Sequence, residues 1–377
     1  MAENEPGVLE RVRRGHEAQV LDVLHEHGAL SRAALGELTT LSRSTLHDIV
    51  ADLQRRGAIV VRPQPRRPRR PGRPPELVTL NPGAGHSIGI DFGHRRVNVV
   101  VADAAQEVVA EATHAYARFT EWEHRIELAC DLIEQTSTDL GPLRAIGVGL
   151  TGSVDAERTE LVTNRLTTRW PARVAIDNNT RLAALAETLW GAGAGSGDVV
   201  YVRLSHGVGG GIVIGGRLLR GARGTAGEIG HIPVDPQGPR CRCGGRGCVE
   251  TYASIPAVLE ATGRPDITDA LSRFAAGDPA VAAAVTRGGR ALGQALAGIW
   301  NTVGPSRIIV GGELADAMIP AAEAAMRDQL PAEFHDGVTL DRAQLGDYAG
   351  ALGGVVLAAQ ETPLLLGYPL AESKAKA

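Results

Sequence analysis

Three cysteines within eight residues, Cys241-Arg-Cys243-Gly-Gly-Arg-Gly-Cys248, constrain this chain more than any other segment. His231 stands ten positions upstream, in Gly227-Glu228-Ile-Gly-His231, and Glu250 follows two positions downstream. Three thiolates and one imidazole form a closed Cys₃His set suited to structural Zn²⁺. The glycines between Cys243 and Cys248 let the backbone turn tightly enough to aim the sulfurs at one point. The fold must therefore bring His231, Cys241, Cys243 and Cys248 together. The fourth cysteine, Cys130, lies in an apolar helical pattern and reads as a small buried hydrophobe.

At 377 residues the chain exceeds one ordinary core, so two or three domains are expected. Apolar residues make up 44% and aromatics only 3%, so the interior has to be built from Ala, Val, Leu and Ile. No run of about 18 apolar residues and no charged-then-apolar leader is present, so a cytoplasmic protein without a membrane partner is expected. Clustered cysteines fit a reducing compartment and a metal better than disulfides. The net charge of −4 hides an asymmetry: residues 1–82 hold 13 Arg against 10 Asp plus Glu, while the remainder is acidic. Six of those arginines fall between Arg62 and Arg73, which points this segment, and not the whole chain, toward nucleic acid.

Apolar residues at Val20, Leu21, Val23 and Leu24 predict a helix from Gly15 to Gly28. Ser31 is placed to cap a second helix, and Ser42 a third that carries Leu46, Ile49, Val50 and Leu53 at helical spacing before Gly57. Three short helices with tight turns describe a helix-turn-helix unit. Burying Leu46, Ile49 and Val50 presents Arg43, Ser44, Thr45 and His47 toward a DNA major groove. Ile59–Val61 and Leu77–Leu80 read as the two strands of a wing. Its tip is an extended Arg/Pro/Gly strip with Arg70 and Arg73 placed for a minor groove.

Beyond Pro82 the pattern changes to strands and helices. Ser87–Gly93, Val97–Asp103 and Val108–His114 read as a β-meander, followed by a helix over about 121–139, a strand at Ala145–Leu150, and a strand and helix around 173–190. A second half opens with Val199–Leu204 and the glycine-dense Ser205–Ile212, read as a turn able to approach an anion. Arg307–Val310 runs into Gly311 and Gly312. Two such halves predict an α/β chain: a winged helix-turn-helix over 1–82, then a two-lobed actin/sugar-kinase-like (ribonuclease H-like) body. Its first lobe covers 83–195 and is completed by a C-terminal helix at about 349–365; its second covers 196–348.

The chain resembles the ROK family (repressors, open reading frames and sugar kinases), and within it the regulators that attach a winged helix to a kinase-like body. The most specific motif is Gly224-x-x-Gly227-Glu228-x-Gly230-His231 followed by Cys241-x-Cys243-Gly-x-x-Gly-Cys248-Val-Glu250. The resemblance implies zinc on His231, Cys241, Cys243 and Cys248, and sugar hydroxyls bound by Glu228, His231 and Glu250, with Asn164, Asn178 and Asn179 as further contacts. A metal-bound imidazole offers its second nitrogen to a partner, so His231 can serve both.

Family kinases carry Glu-Asn-Asp-Ala-Asn, whose Asp is the general base. Here the run is Asp177-Asn178-Asn179-Thr180-Arg181, so an amide occupies the base position. An amide orients a hydroxyl but does not accept its proton, and the base contribution of roughly 10²–10⁴ is lost. The first phosphate turn, Asp91-Phe92-Gly93, continues with His94 and Arg95 where the family has a glycine and a small hydroxyl residue. His206 interrupts the second, although Gly207, Gly209 and Gly210 persist. With Gly311 and Gly312 these turns read as vestigial. The resulting expectation is a DNA-binding regulator, a repressor of carbohydrate-related genes, that senses a sugar without phosphorylating it. Its expected partners are a near-palindromic duplex operator and a second copy of itself, as a dimer or tetramer. The alternatives are a sugar kinase that also binds DNA and a constitutive DNA-binding protein with a vestigial pocket.

Overall fold

The computed structural model describes residues 8–63, 76–117, 119–137, 142–152, 154–337 and 339–361. Helix α1 (Val8–His27) leads into the short strand β1 (Leu30–Ser31), then α2 (Arg32–Thr39), α3 (Arg43–Arg55), β2 (Ile59–Pro63) and β3 (Glu76–Leu80). Both serine caps form: the Ser31 hydroxyl accepts from the Ala34 N–H at 3.2 Å, and that of Ser42 from Thr45 at 3.1 Å. Leu46, Ile49, Val50 and Leu53 of α3 meet Val20, Leu21, Leu24 and Leu35 in one apolar cluster. An ionic knot fastens α1 to α3, with Arg56 reaching Glu17 at 2.6 Å and Asp52 at 3.0 Å. Strand β3 pairs with both β2 and β1, which makes the three-stranded sheet of a winged helix. Helix α1 begins earlier than its apolar periodicity predicts. The wing tip with Arg70 and Arg73 lies outside the described residues.

Strands β4 (His86–Phe92), β5 (Arg96–Asp103) and β6 (Val108–Ala115) form the predicted meander. Helix α4 (Trp122–Thr136) returns the chain to β7 (Leu143–Leu150), and α5 (Ala156–Arg169) leads to β8 (Arg173–Asn178) and α6 (Asn179–Trp190). The sheet order is β6-β5-β4-β7-β8, with β4, β7 and β8 parallel. The second half begins with β9 (Val199–Leu204), β10 (Val208–Ile214) and β11 (Arg217–Leu218). After the cysteine loop come α7 (Glu250–Ala253), α8 (Ile255–Thr262), α9 (Ile267–Ala275) and the long α10 (Pro279–Val303). Strand β12 (Arg307–Gly311), α11 (Ala315–Arg327), β13 (Leu340–Arg342) and α12 (Ala349–Glu361) are the last of the described strands and α-helices. The second sheet runs β11-β10-β9-β12-β13.

Helices α6 and α12 tie the two sheets together. Helix α12 lies on β4, β7 and α6, while α6 also packs on β9 and β10. Backbone meets backbone there: a Cβ on Gly89 or Gly147 would overlap the carbonyls of Ala351 and Gly354. The same close approach corrects the reading of the glycine-dense segment. Only Ser205–Gly207 turns, whereas Gly209, Gly210 and Gly211 lie inside β10. A Cβ on Gly209 would sit 2.7 Å from the Thr180 hydroxyl, and one on Gly211 2.5 Å from the Ala184 Cβ, so these glycines admit α6 against the sheet.

The winged helix is anchored on the first sheet. Ala104 and Ala105, at the β5–β6 turn, pack against its apolar cluster. Arg144 of β7 donates to the Ala84 carbonyl at 3.1 and 2.6 Å.

Candidate ligand cleft and metal centre

A cavity of about 830 Å³ opens between the two sheets. It is lined by Gly93 after β4, Thr151 and Gly152 after β7, Asn178–Thr180 at the β8–α6 junction, and Arg203 with Ser205–Gly207 at the end of β9. These are the carboxyl ends of strands, where open α/β sheets place their ligands. Glu228, His231, Cys241, Arg242 and Glu250 close one end of it.

The cysteine loop folds on itself through a Cys241 N–H bond to the Gly245 carbonyl at 2.9 Å and a return from Gly244 at 3.0 Å, with Gly244 at φ 91°. The Cys241 sulfur lies 3.5 Å from His231 Nδ1, and the sulfurs of Cys243 and Cys248 are 3.7 Å apart. All four ligand atoms lie within 4.8 Å of one another. Tetrahedral bonds of about 2.3 Å to sulfur and about 2.0–2.1 Å to nitrogen require S···S near about 3.8 Å and S···N near about 3.6 Å. The donor set therefore fits a metal ion. Burial pushes the Cys248 thiol up to about 12, and the neighbouring thiols push the same way, whereas the Gly245 backbone and the other two sulfurs hold the Cys243 thiol below its ordinary value. With Nδ1 turned to the sulfurs, Nε2 of His231 is the nitrogen left for the cavity.

Glu250 is buried and held at both oxygens. Arg242 Nε donates to Oε1 at 2.6 Å, Arg242 Nη2 to Oε2 at 3.2 Å, and the Val208 N–H to Oε2 at 2.9 Å. Burial raises its pKa, but those hydrogen bonds and the charges of Arg242 and His231 outweigh it and hold the carboxyl below its ordinary range. Glu228 lies exposed at the cavity edge.

Asn178 caps α6: its Oδ1 accepts from the N–H groups of Thr180 (2.9 Å) and Arg181 (3.2 Å), and its Nδ2 donates to the Gly152 carbonyl at 2.8 Å. Asn179 is buried, and its Nδ2 donates to Asp91 Oδ1 at 2.9 Å. Asp177 is 2% exposed and saturated by Arg181 at 2.6 Å, Arg220 at 2.6 Å and the Asn178 N–H at 2.7 Å. It does not line the cavity. Burial raises the pKa of Asp91 despite the opposing charges of Arg203 and Arg96 and the bond from Asn179.

Several predicted site residues fall elsewhere. Asn164 is exposed on α5, outside the lining, and its backbone carbonyl accepts from the Thr168 hydroxyl at 2.7 Å. Gly93, Gly207, Gly209 and Gly210 reach the cavity, whereas Asp91, Gly311 and Gly312 do not. A Cβ on Gly311 would meet the Tyr201 hydroxyl at 2.6 Å and one on Gly312 the Leu204 carbonyl, so that pair packs closely beside β9. Arg203, Arg242 and Arg287 line the cavity without having been anticipated. Arg203 was detectable as the lone charge in the apolar run Val199–Leu204. In the winged helix, Arg43, Ser44 and His47 are exposed at the start of α3, with Thr45 half-buried. The hydroxyls of Ser44 and Thr45 lie 3.0 and 2.8 Å from that of Ser42.

Residues 87–361 match the ROK family, and residues 13–70 match the MarR family. The chain belongs to the ROK family. Among ROK relatives, the xylose repressor of Bacillus subtilis (strain 168) is 27% identical over 365 residues, covering 91% of this chain and 94% of that protein. The crystal structure of a ROK family transcriptional regulator, a homolog of the E. coli MLC protein, superposes with a TM-score of 0.79 at 24% identity. That match covers 94% of this chain and 98% of the other, and shows that the full two-part architecture is shared. The ROK hexokinase of Thermus thermophilus gives a TM-score of 0.66 at 31% identity over 73% of this chain and 99% of its own. Among the described residues, no helix is long and apolar enough to cross a membrane.

Proposed function

We propose that this protein is a sugar-responsive DNA-binding repressor whose kinase-like body recognises a carbohydrate without phosphorylating it. One observation carries the second half of that reading. The amide of Asn179 stands where a proton acceptor would be needed, turned onto Asp91, and the adjacent carboxylate of Asp177 is taken up by two arginines. Neither group is free to accept a hydroxyl proton. Similarity to a xylose repressor over both parts of the chain supports the first half.

In this reading residues 1–82 read DNA through Arg43, Ser44, Thr45 and His47, with Arg70 and Arg73 in the wing. The body folds as lobes 83–195 and 196–348, the helix near 349–365 returning to the first. Zn²⁺, held by His231, Cys241, Cys243 and Cys248, has a structural role and fixes the His231 ring. Nε2 of that ring, Glu228 and the Arg242-oriented Glu250 then take sugar hydroxyls, while Asn178 and Asn179 shape the opposite wall. Sugar binding biases closure of the cleft and so the spacing of paired winged helices on a near-palindromic operator. A coupling of about 1–3 kcal/mol changes operator affinity about 5- to 150-fold.

Two measurements test this. Selection from a random DNA pool, with and without candidate sugars, should return a near-palindrome whose retention falls when the effector is added. An ATP-dependent assay over hexoses, pentoses and N-acetylhexosamines should give no sugar-dependent ADP release. Release at about 1 s⁻¹ or faster would establish a kinase that also binds DNA. DNA affinity indifferent to every sugar would leave the cleft without a sensing role.

A further inference from the structure

The chain passes from the first half of the body to the second through residues 191–198 and returns through residues 343–348. One buried carboxylate holds both passages. Glu187 of α6 is 0% exposed; its Oε2 accepts from the Ala192 N–H at 2.9 Å, and its Oε1 from those of Gln344 and Leu345 at 2.9 and 2.8 Å. All three donors are backbone groups, so neither passage can slide there without leaving buried polar atoms unpaired. Glu187 therefore marks a fixed point about which the two halves turn.

The returning passage then runs onto β5, along the face where Arg96, Asn98, Val100 and Ala102 alternate. Asp347 holds Arg96 in a bidentate pair at 2.7 and 2.9 Å, and its backbone carbonyl accepts from Asn98 Nδ2 at 2.8 Å. Leu345 and Tyr348 pack against the apolar cluster that contains Val100 and Ala102. One end of β5 meets the cleft: the Gly93 N–H donates to the Arg96 carbonyl at 2.9 Å, and Gly93 and His94 line the cavity. At the other end, Asp103 Oδ1 accepts from the N–H groups of Ala105 and Glu107 at 2.8 and 3.1 Å. Those bonds fix the turn whose Ala104 and Ala105 pack against the winged helix. One short passage thus joins the fixed point to the strand that connects cleft and DNA-binding unit.

Resting on the sugar-sensor reading, we propose that residues 343–348 carry the state of the cleft to the winged helix: Glu187 sets the pivot, and Asp347 passes the movement of the second half to β5 through Arg96 and Asn98. Glu187 and Asp347 are positioning residues, and neither lines the cavity.

The Arg96–Asp347 pair is about half exposed, so it adds little to folding and can be broken while the coupling is read. The full zinc-loaded chain is titrated onto the duplex recovered by selection from a random pool, alone and with saturating D-glucose, D-xylose or N-acetylglucosamine. Asp347→Arg should bind the active sugar, by calorimetry, and the sugar-free duplex within about threefold of the parent. The sugar-induced change in operator affinity should fall at least about threefold. Adding Arg96→Asp re-forms the pair with its charges exchanged and should recover the response. Glu134→Arg, which breaks a similarly exposed pair with Arg169 between α4 and α5, should leave the response intact. Arg96→Gln replaces Asp347→Arg should that variant fold poorly by its melting curve. A full response in the broken-pair variant, no recovery on exchange, or an equal loss in Glu134→Arg overturns the route, and the sensor reading stands as long as the parent responds. If the parent responds to none of the three sugars, the sensor reading fails and this inference with it.

Discussion

Placing a carboxylate at position 179 provides a demanding test of the proposal that this cleft works without a general base. Asn179→Asp would place two buried carboxyls face to face, because Asn179 Nδ2 now lies 2.9 Å from Asp91 Oδ1. Two like charges about 4 Å apart at an effective dielectric of about 20 repel by about 4 kcal/mol. The alternative is to keep one proton, which at pH 8 costs about 5 kcal/mol for a carboxyl with an ordinary pKa near 4. At pH 8 the variant should therefore be destabilised by about 4 kcal/mol. Near pH 5 proton retention costs only about 1–2 kcal/mol, and most of the loss should disappear. The sign follows from linkage: the shared carboxyl has a folded pKa raised above its unfolded value, so stability is present at low pH and is lost as pH rises. Denaturant melts of both proteins at pH 5 and pH 8, beside an ADP-release assay, make the measurement. A variant as stable as its parent at pH 8, or one that phosphorylates a sugar, would refute the reasoning.

Three further outcomes are expected. Cys243→Ser should lower the zinc-to-protein ratio from near one to a small fraction, with the sugar response lost; retention of both, by elemental analysis and operator titration, would remove the metal centre. Arg70→Ala with Arg73→Ala should weaken DNA binding and reduce the slope of log affinity against log salt by about one to two, and an unchanged slope would make the wing a mere linker. Gly147→Ala should cost about 1–3 kcal/mol in a denaturant melt, since its Cβ would strike the Gly354 carbonyl, whereas Gly298→Ala on α10 meets nothing within 4 Å and should be neutral or slightly stabilising.

The helix-turn-helix was legible because α3 must bury one stripe, and Leu46, Ile49, Val50 and Leu53 mark it at helical spacing. The metal set was legible because few folds have another use for three cysteines in so short a loop. Helix α5 was not, because only Val162 and Leu166 of its 14 residues are buried, too sparse a stripe to announce a period. Asn164, assigned to the cleft from the resemblance, belongs to that helix and faces outward. The glycines of β10 misled for a different reason. In sequence, a glycine that permits a turn and one that permits close packing look alike, and only the arrival of Thr180 and Ala184 against the strand distinguishes them. Nor does any pattern reveal that Asp177 is claimed by Arg220, 43 positions away.

The seating of the winged helix on the β5–β6 turn makes strand β5 a lever. Its eight residues run from Arg96, clamped by Asp347 near the cleft, to Asp103 beside Ala104 and Ala105. Such a strand spans about 26 Å. Tilting it by about 5° displaces its far end by about 2 Å, comparable to the helix shifts that switch other regulatory assemblies. In the proposed regulator, a small pivot at the cleft would thus be carried to the winged helix as a displacement of about that size.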